Sequence, residues 1–318
     1  MIIKGDTINS STMRRSGVPS RGSSWMRQMF SDRYTKYYML VPTIVYLLLI
    51  GIFPLIFSFV LSFLNWDVAA GKSMTFAGLG NYVELIRDLR FWQTLRNTII
   101  FVVAAISFEV IFGFGLALLL NRKLRGQTIF RVLLILPMMT TPVAAGYTWR
   151  MLYHVTNGPI NHILGILHLP IIPWLSSGRT AMMSIIITDV WQWTPFVFII
   201  LLAGLQSLPR EPFEAAAVDG ASRNQIFFYL TLPMISSILI ITILLRLVEA
   251  LRIFDIIFVM TAGGPGITTE SSTMYAKIVG LTQFRIGYSA AIAYVLLILS
   301  IIFFIILTRI LPTEREIE

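Results

Sequence analysis

Residues 206–233 read QSLPREPFEAAAVDGASRNQIFFYLTLP, and they separate two apolar stretches, 181–204 and 236–260, each long enough to cross a bilayer. The segment is too polar to insert and carries too many structural signals to be a plain linker. Ser207 stands where it can cap a first short helix. Pro209 and Glu211 fall in the opening turn of that helix, where a missing N–H costs little and a carboxylate suits the helix dipole. Gly220 then stops it. Ser222 and Gln225 have capping-box spacing for a second helix, and Pro233 marks the turn back into apolar sequence. Ala215, Ala216 and Ala217 give the first helix a smooth surface that another protein can approach closely, while Glu214 offers one carboxylate to a basic partner. The same pattern also describes an ordinary amphipathic helix at a membrane interface.

Outward from this loop, six apolar stretches meet the length of about 20 residues that a hydrocarbon core about 30 Å thick requires. They are 38–64, 97–120, 129–153, 181–204, 236–260 and 287–310. With 56% hydrophobic and 13% charged residues and a mean hydropathy of +0.77, the chain needs lipid as its solvent. The net charge of +9 does not mark a nucleic-acid partner, because the basic residues flank apolar segments instead of clustering on a soluble face. The absence of cysteine excludes a disulfide framework, a thiolate metal site and a cysteine nucleophile. Placing the N-terminus inside puts fifteen Lys and Arg on the inner side and eight on the outer, with Arg246 and Arg252 left within the fifth stretch. Both termini are therefore expected in the cytoplasm: a polar tail over 1–37 leading into an uncleaved signal anchor, a six-helix domain over 38–311, and a short tail over 312–318.

Charged side chains inside spans are functional candidates by default. Glu109 lies in the second stretch and Asp189 in the fourth, while Arg246, Glu249, Arg252 and Asp255 follow one another at i, i+3 spacing in the fifth. That spacing admits two readings, a self-neutralising ladder packed on a neighbouring chain or a set of solute contacts. Glu109 is read as lying near a partner on another helix. Pro42, Pro54, Pro137, Pro142 and Pro195 are expected to kink their spans. Tyr82, Leu85, Leu89 and Trp92 predict one amphipathic helix over 81–96 along the outer surface. His154, His162 and His168 show no metal-binding spacing and read as surface residues. Gly71-Lys72-Ser73 ends like a phosphate loop, but Trp66 stands where a glycine is needed, so this stretch is not a nucleotide site. A secondary transporter would need a coupling-ion site and repeat symmetry, and an intramembrane enzyme a convergent catalytic set; neither pattern is legible.

Glu214-Ala215-Ala216, Gly220, Leu230, Leu232 and Pro233 resemble the EAA signature of ABC importer permeases, with leucine at 230 in place of isoleucine. GLGNYVELIRDLRFWQTLRNT, RVLLILPMM, DVWQWTPF and RIFDIIFVMTAGGPG are similar to stretches of the maltose-type sugar permeases, without that family's large periplasmic insertion and extra N-terminal spans. The resemblance implies an all-α integral membrane protein with six transmembrane helices, the MetI-like core of a type I ABC importer permease, in a bacterial inner membrane. It implies a second permease subunit as heterodimer partner, a cytoplasmic ATPase dimer using ATP and Mg, a periplasmic or lipid-anchored binding protein, and a sugar-like solute. Glu214, Ala215, Ala216, Gly220, Leu232 and Pro233 become the coupling contacts to the ATPase. Asp189, Gln192, Trp193, Phe196, Arg246, Glu249 and Ala250 fall where relatives contact sugar. Those relatives carry neutral residues where Arg246 and Glu249 stand, a departure that points to another glycoside, with an anionic one among the candidates. No catalytic or metal-binding residue is implied.

Overall fold

The computed structural model describes residues 32–71, 73–122 and 125–310. Most of the N-terminal tail, the C-terminal tail, Lys72 and Lys123 lie outside the described residues. The chain divides into two compact units, one ending at Phe57 and the other beginning at Ser58. In the first, α1 (Asp32–Tyr46) passes through a π-helical stretch, Leu47–Ile52, into α2 (Phe53–Ser62). Its side chains from Tyr37 to Phe57 are exposed, which is the surface of a helix solvated by lipid.

The second unit opens with the last turn of α2, followed by a two-residue hairpin, β1 (Leu64–Asn65) antiparallel to β2 (Thr75–Phe76). The 81–96 segment is not one surface helix. It forms α3 (Gly80–Arg87) and the start of a 32-residue helix, α4 (Leu89–Leu120), with extended backbone at Asp88 between them. The expected apolar face is divided accordingly: Leu85 is buried, whereas Leu89 and Trp92 are exposed. Asp88 is the cause of the break. Its carboxylate accepts from the backbone N–H groups of Arg90 and Phe91, capping α4, and from the hydroxyls of Tyr275 and Tyr288.

The third apolar stretch is bent. α5 (Gln127–Ile135) ends in a short 3-10 turn, Leu136–Met139, and α6 (Pro142–Leu152) leaves at 97°. Thr140 and Thr141 are both extended, as a residue before proline prefers, and Thr141 Oγ1 accepts from Ala144 N–H. Among the described residues, five helices are individually long and apolar enough to cross a membrane, and a sixth is counted if this bent pair is one span. After α7 (Pro159–Ile166) come α8 (Gly178–Ser207), α9 (Glu211–Val218) and α10 (Arg223–Ile226).

Three expectations about this loop fail. Ser207 is the last residue of α8, its hydroxyl donating to Gly204 O, so it does not cap α9, whose N-cap is Arg210; Pro209 likewise lies before the helix, and Pro212 is the proline of its opening turn. Pro233 does not turn the chain either. α10 continues through a π-helical stretch, Phe227–Thr231, into α11 (Leu232–Ala250), one helical run from Arg223 in which the proline occupies the tolerated first turn. α11 ends ten residues earlier than the apolar pattern suggests, and α12 (Asp255–Met260) is separate from it. α13 (Ser272–Lys277) and α14 (Ile286–Ile310) complete the chain.

α4 and α8 cross at the centre of the core, where Phe101, Val102 and Ala105 meet Ile185 and Val190. Further along the same pair, Ala117 and Leu120 meet Val197, Phe198 and Leu201. Gly113 sets the crossing distance, since a Cβ there would lie 2.8 Å from Val197 Cβ. Gly113→Leu is expected to force the two helices apart at a cost of about 1–3 kcal/mol. An unchanged thermal midpoint of the variant in detergent would refute the close approach. At Asp88, burial raises the carboxyl pKa, but the hydrogen bonds from Tyr275, Tyr288, Phe91 and Arg90 outweigh it and hold the pKa below its usual value. A lowered folded pKa means that this stabilisation is complete above the ordinary aspartate range and is lost as pH falls through the lowered value. Asp88→Ala should therefore destabilise at neutral pH by about 0.5–2 kcal/mol. The gap to wild type should close only below about pH 4, which unfolding at a series of pH values will check.

Candidate functional site

Three charges lie where the bundle is driest. Arg246 of α11 donates from Nε to Glu109 Oε2 at 2.6 Å and from Nη2 to Glu109 Oε1 at 2.8 Å, a bidentate pair with a residue of α4. Nη2 also donates to Asp189 Oδ2 of α8 at 2.9 Å. Glu109 is fully buried and Arg246 is 2% exposed. Removing such ions from water costs several kcal/mol each, and only short, well-aligned pairing offsets that cost. The indole of Trp193, one turn beyond Asp189, lies 4.7 Å from the guanidinium carbon, and Phe196 meets Trp193 edge to face.

This arrangement corrects the i, i+3 ladder of the fifth stretch. Arg246 turns inward to two other spans, while Glu249 is exposed and Arg252 and Asp255 lie beyond the end of α11. Beside the triad is a small cavity of about 100 Å³. Of the seven expected solute contacts, Asp189, Trp193, Arg246, Glu249 and Ala250 line it, together with Arg252 and Asp255. Gln192 and Phe196 do not. Gln192 Nε2 donates to Thr140 O at 2.9 Å, at the break in the third stretch, and Phe196 packs into the α4–α8 core. Asp189 and Gln192 thus tie successive turns of α8 to α11 and to the α5–α6 bend.

Glu109, read from the sequence as lying near a partner on another helix, has Arg246 of α11 as that partner, a pairing the sequence did not name.

A second candidate element is α9. Glu214, Ala215, Ala217 and Val218 are exposed, and Ala216 is half-buried. Gly220 has φ +75°, and around it Ala221 N–H donates to Ala216 O and Gly220 N–H to Ala217 O, which closes the helix end. Ser222 and Gln225 form the expected reciprocal capping box. Beneath α9 is a cleft of about 940 Å³ lined by Arg122, Arg210, Phe213, Glu214 and Phe227 among others. Leu232 and Pro233 stand in the first turn of α11 and belong to the span, not to the projecting helix.

Residues 109–316 match the family described as binding-protein-dependent transport system inner membrane component. The chain belongs to this family. It is therefore a permease subunit of a binding-protein-dependent ABC importer, a multi-pass inner-membrane protein whose transport system implies a binding protein and an ATPase. Among its relatives is a probable ABC transporter permease protein y4oQ of Sinorhizobium fredii, 42% identical over 260 residues, covering 81% of this permease and 84% of that protein. Another is the trehalose/maltose transport system permease protein MalF of Thermococcus litoralis, 37% identical over 265 residues, covering 83% and 90%. A chain of a bacterial alginate ABC transporter has the same fold, with a TM-score of 0.77 at 20% identity and coverage of 92% of this permease and 96% of that chain.

Arg246→Ala leaves Glu109 and Asp189 buried without a cation, a loss on the order of 3–5 kcal/mol. The permease is expected to lose most of its monodisperse yield in detergent. Adding Glu109→Gln and Asp189→Asn to the same variant should recover it. An Arg246→Ala protein as stable as wild type would show that the triad does not hold the three helices.

Proposed function

We propose that this permease pairs with a second permease chain to carry a sugar or oligosaccharide inward by alternating access, driven by an ATPase dimer that alone binds ATP and Mg. The observation that carries this reading is α9: an exposed helix ending on a positive-φ glycine, held between the two spans that Asp189 and Arg246 bridge. Glu214, Ala215, Ala216 and Gly220 form its docking surface for the ATPase, and Leu232 and Pro233 join it to α11. The helix carries a small-residue face for close approach, and rigid helices lead from both of its ends into the bundle.

A sugar is the cargo this site suits. Trp193 offers an aromatic face, and Asp189, Arg246 and Glu249 offer hydrogen-bonding groups of the kind that hold vicinal hydroxyls. Relatives point the same way, since they include a trehalose/maltose and a lactose transport system permease protein. The excess of basic residues on one side supports a topology with both termini and α9 in the cytoplasm and the loop before α8 outside, where a loaded binding protein would dock.

Two measurements test this reading. Glu214→Lys and Gly220→Pro should each abolish sugar uptake and the stimulation of ATPase by the binding protein, while leaving membrane insertion intact. The proline cannot adopt the φ of Gly220. Normal uptake in both variants would remove the coupling role. Because the chain has no cysteine, Ser222→Cys and Ser176→Cys report sidedness directly. An impermeant thiol reagent should label position 176 in sealed cells and position 222 only after permeabilisation.

A further inference from the structure

On the reading that the cavity beside Arg246 holds the solute, we infer that this half of the site selects a neutral, hydroxyl-bearing glycoside and discriminates against uronates and other anionic sugars. A guanidinium has five N–H donors. Three of Arg246's are taken: Nε–H and one Nη2–H by Glu109, the other Nη2–H by Asp189. Among the described residues the two on Nη1 make no hydrogen bond, on a side chain that lines the cavity. What faces the cavity is therefore a pair of donors at fixed geometry, backed by two carboxylates.

The charge that a solute would meet follows from counting. With both carboxylates ionised the triad is negative and with one protonated it is neutral; it presents a positive charge only with both protonated, which the short bidentate pairing of Glu109 with the guanidinium opposes. The rest of the lining does not restore one, since Glu249 and Asp255 outnumber Arg252. An anionic group entering here finds no uncompensated cation and faces nearby carboxylates in a medium of low dielectric. A hydroxyl loses nothing by that arrangement, because it can accept from Nη1 and donate to a carboxylate. Glu109 thus acts on specificity without touching the cavity: it is a positioning residue that holds the guanidinium edge and cancels its charge.

The test is equilibrium binding to the purified assembly of both permeases and the ATPase, without binding protein, so that the cavity alone reads the probe. The probes are labelled trehalose, maltose and lactose, and the same disaccharides oxidised to a glucuronate at one primary hydroxyl. Wild type should bind at least one neutral sugar in preference to its uronate. The double variant Glu109→Gln with Asp189→Asn keeps hydrogen-bond acceptors but unmasks the guanidinium, and should shift the uronate-to-neutral affinity ratio upward by roughly tenfold or more. Glu109→Gln alone, which retains the Asp189 ion pair, should give a smaller shift in the same direction if the double variant does not fold. Glu109→Asp should restore the wild-type ratio. A wild-type preference for the uronate, or an unchanged ratio in a folded charge-removing variant, overturns the inference. Binding of none of these sugars by any form overturns the underlying sugar reading as well.

Discussion

A guanidinium within a membrane span must be matched where it stands, because the surrounding hydrocarbon cannot solvate it. Arg246 meets that constraint by taking one carboxylate from α4 and another from α8. Much else follows. The register of α11 against α4 is set by the bidentate pair, the rotation of α8 is set by Asp189, and the turn after Asp189 then brings Trp193 over the guanidinium. Apolar packing along the same helices tolerates a slide of one residue far better than the ion cluster does, so the charges specify the arrangement that the side-chain core fills.

Most of the helical architecture was legible in the sequence because it rests on length and hydropathy, which the bilayer imposes directly. The fourth and sixth stretches are found within a few residues of α8 and α14, and the capping box at Ser222 and Gln225 forms as its spacing indicates. The failures share one physical origin. Apolar sequence continues through the Thr140–Thr141 break, through the end of α11 at Ala250, and across Asp88. At each place a local backbone preference or a single polar side chain overrides the hydropathy pattern. Pro142 illustrates the point: a proline in an apolar run is compatible with a kinked helix or with a new N-terminus, and its neighbours decide which. Here two extended threonines and the Gln192 side chain fix a sharp bend.

The site was legible in part for a similar reason. Charged residues in apolar segments announce themselves, and five of the seven expected contacts gather around one cavity. What one-dimensional spacing could not reveal is which of them face each other across helices. The i, i+3 ladder from Arg246 to Asp255 is an intrahelical pattern, yet the stronger partners are 57 and 137 residues away in sequence. Gln192 shows the reverse error. It shares a helix face with Asp189, and its amide serves the bend of a neighbouring segment instead of the cavity.

The two functional elements are mechanically one object. From Asp189 to the end of α8, and from the start of α10 to Arg246, the chain is helical, so each element carries displacement over a length on the order of 30 Å with little compliance. At one end α8 and the α10–α11 run are joined through α9 and its capped turns, and at the other by the Asp189–Arg246 ion pair. This makes a closed frame of two stiff rods pinned at both ends, in which a push on α9 cannot be absorbed by sliding one rod along the other. The frame must tilt as a unit against α4, and the contact that follows it is Glu109, which shares the same guanidinium. On the proposed coupling role, the residues that set the charge of the cavity are also the hinge about which the cavity would open. A single cluster would then connect the movement of α9 to the lining that receives the solute.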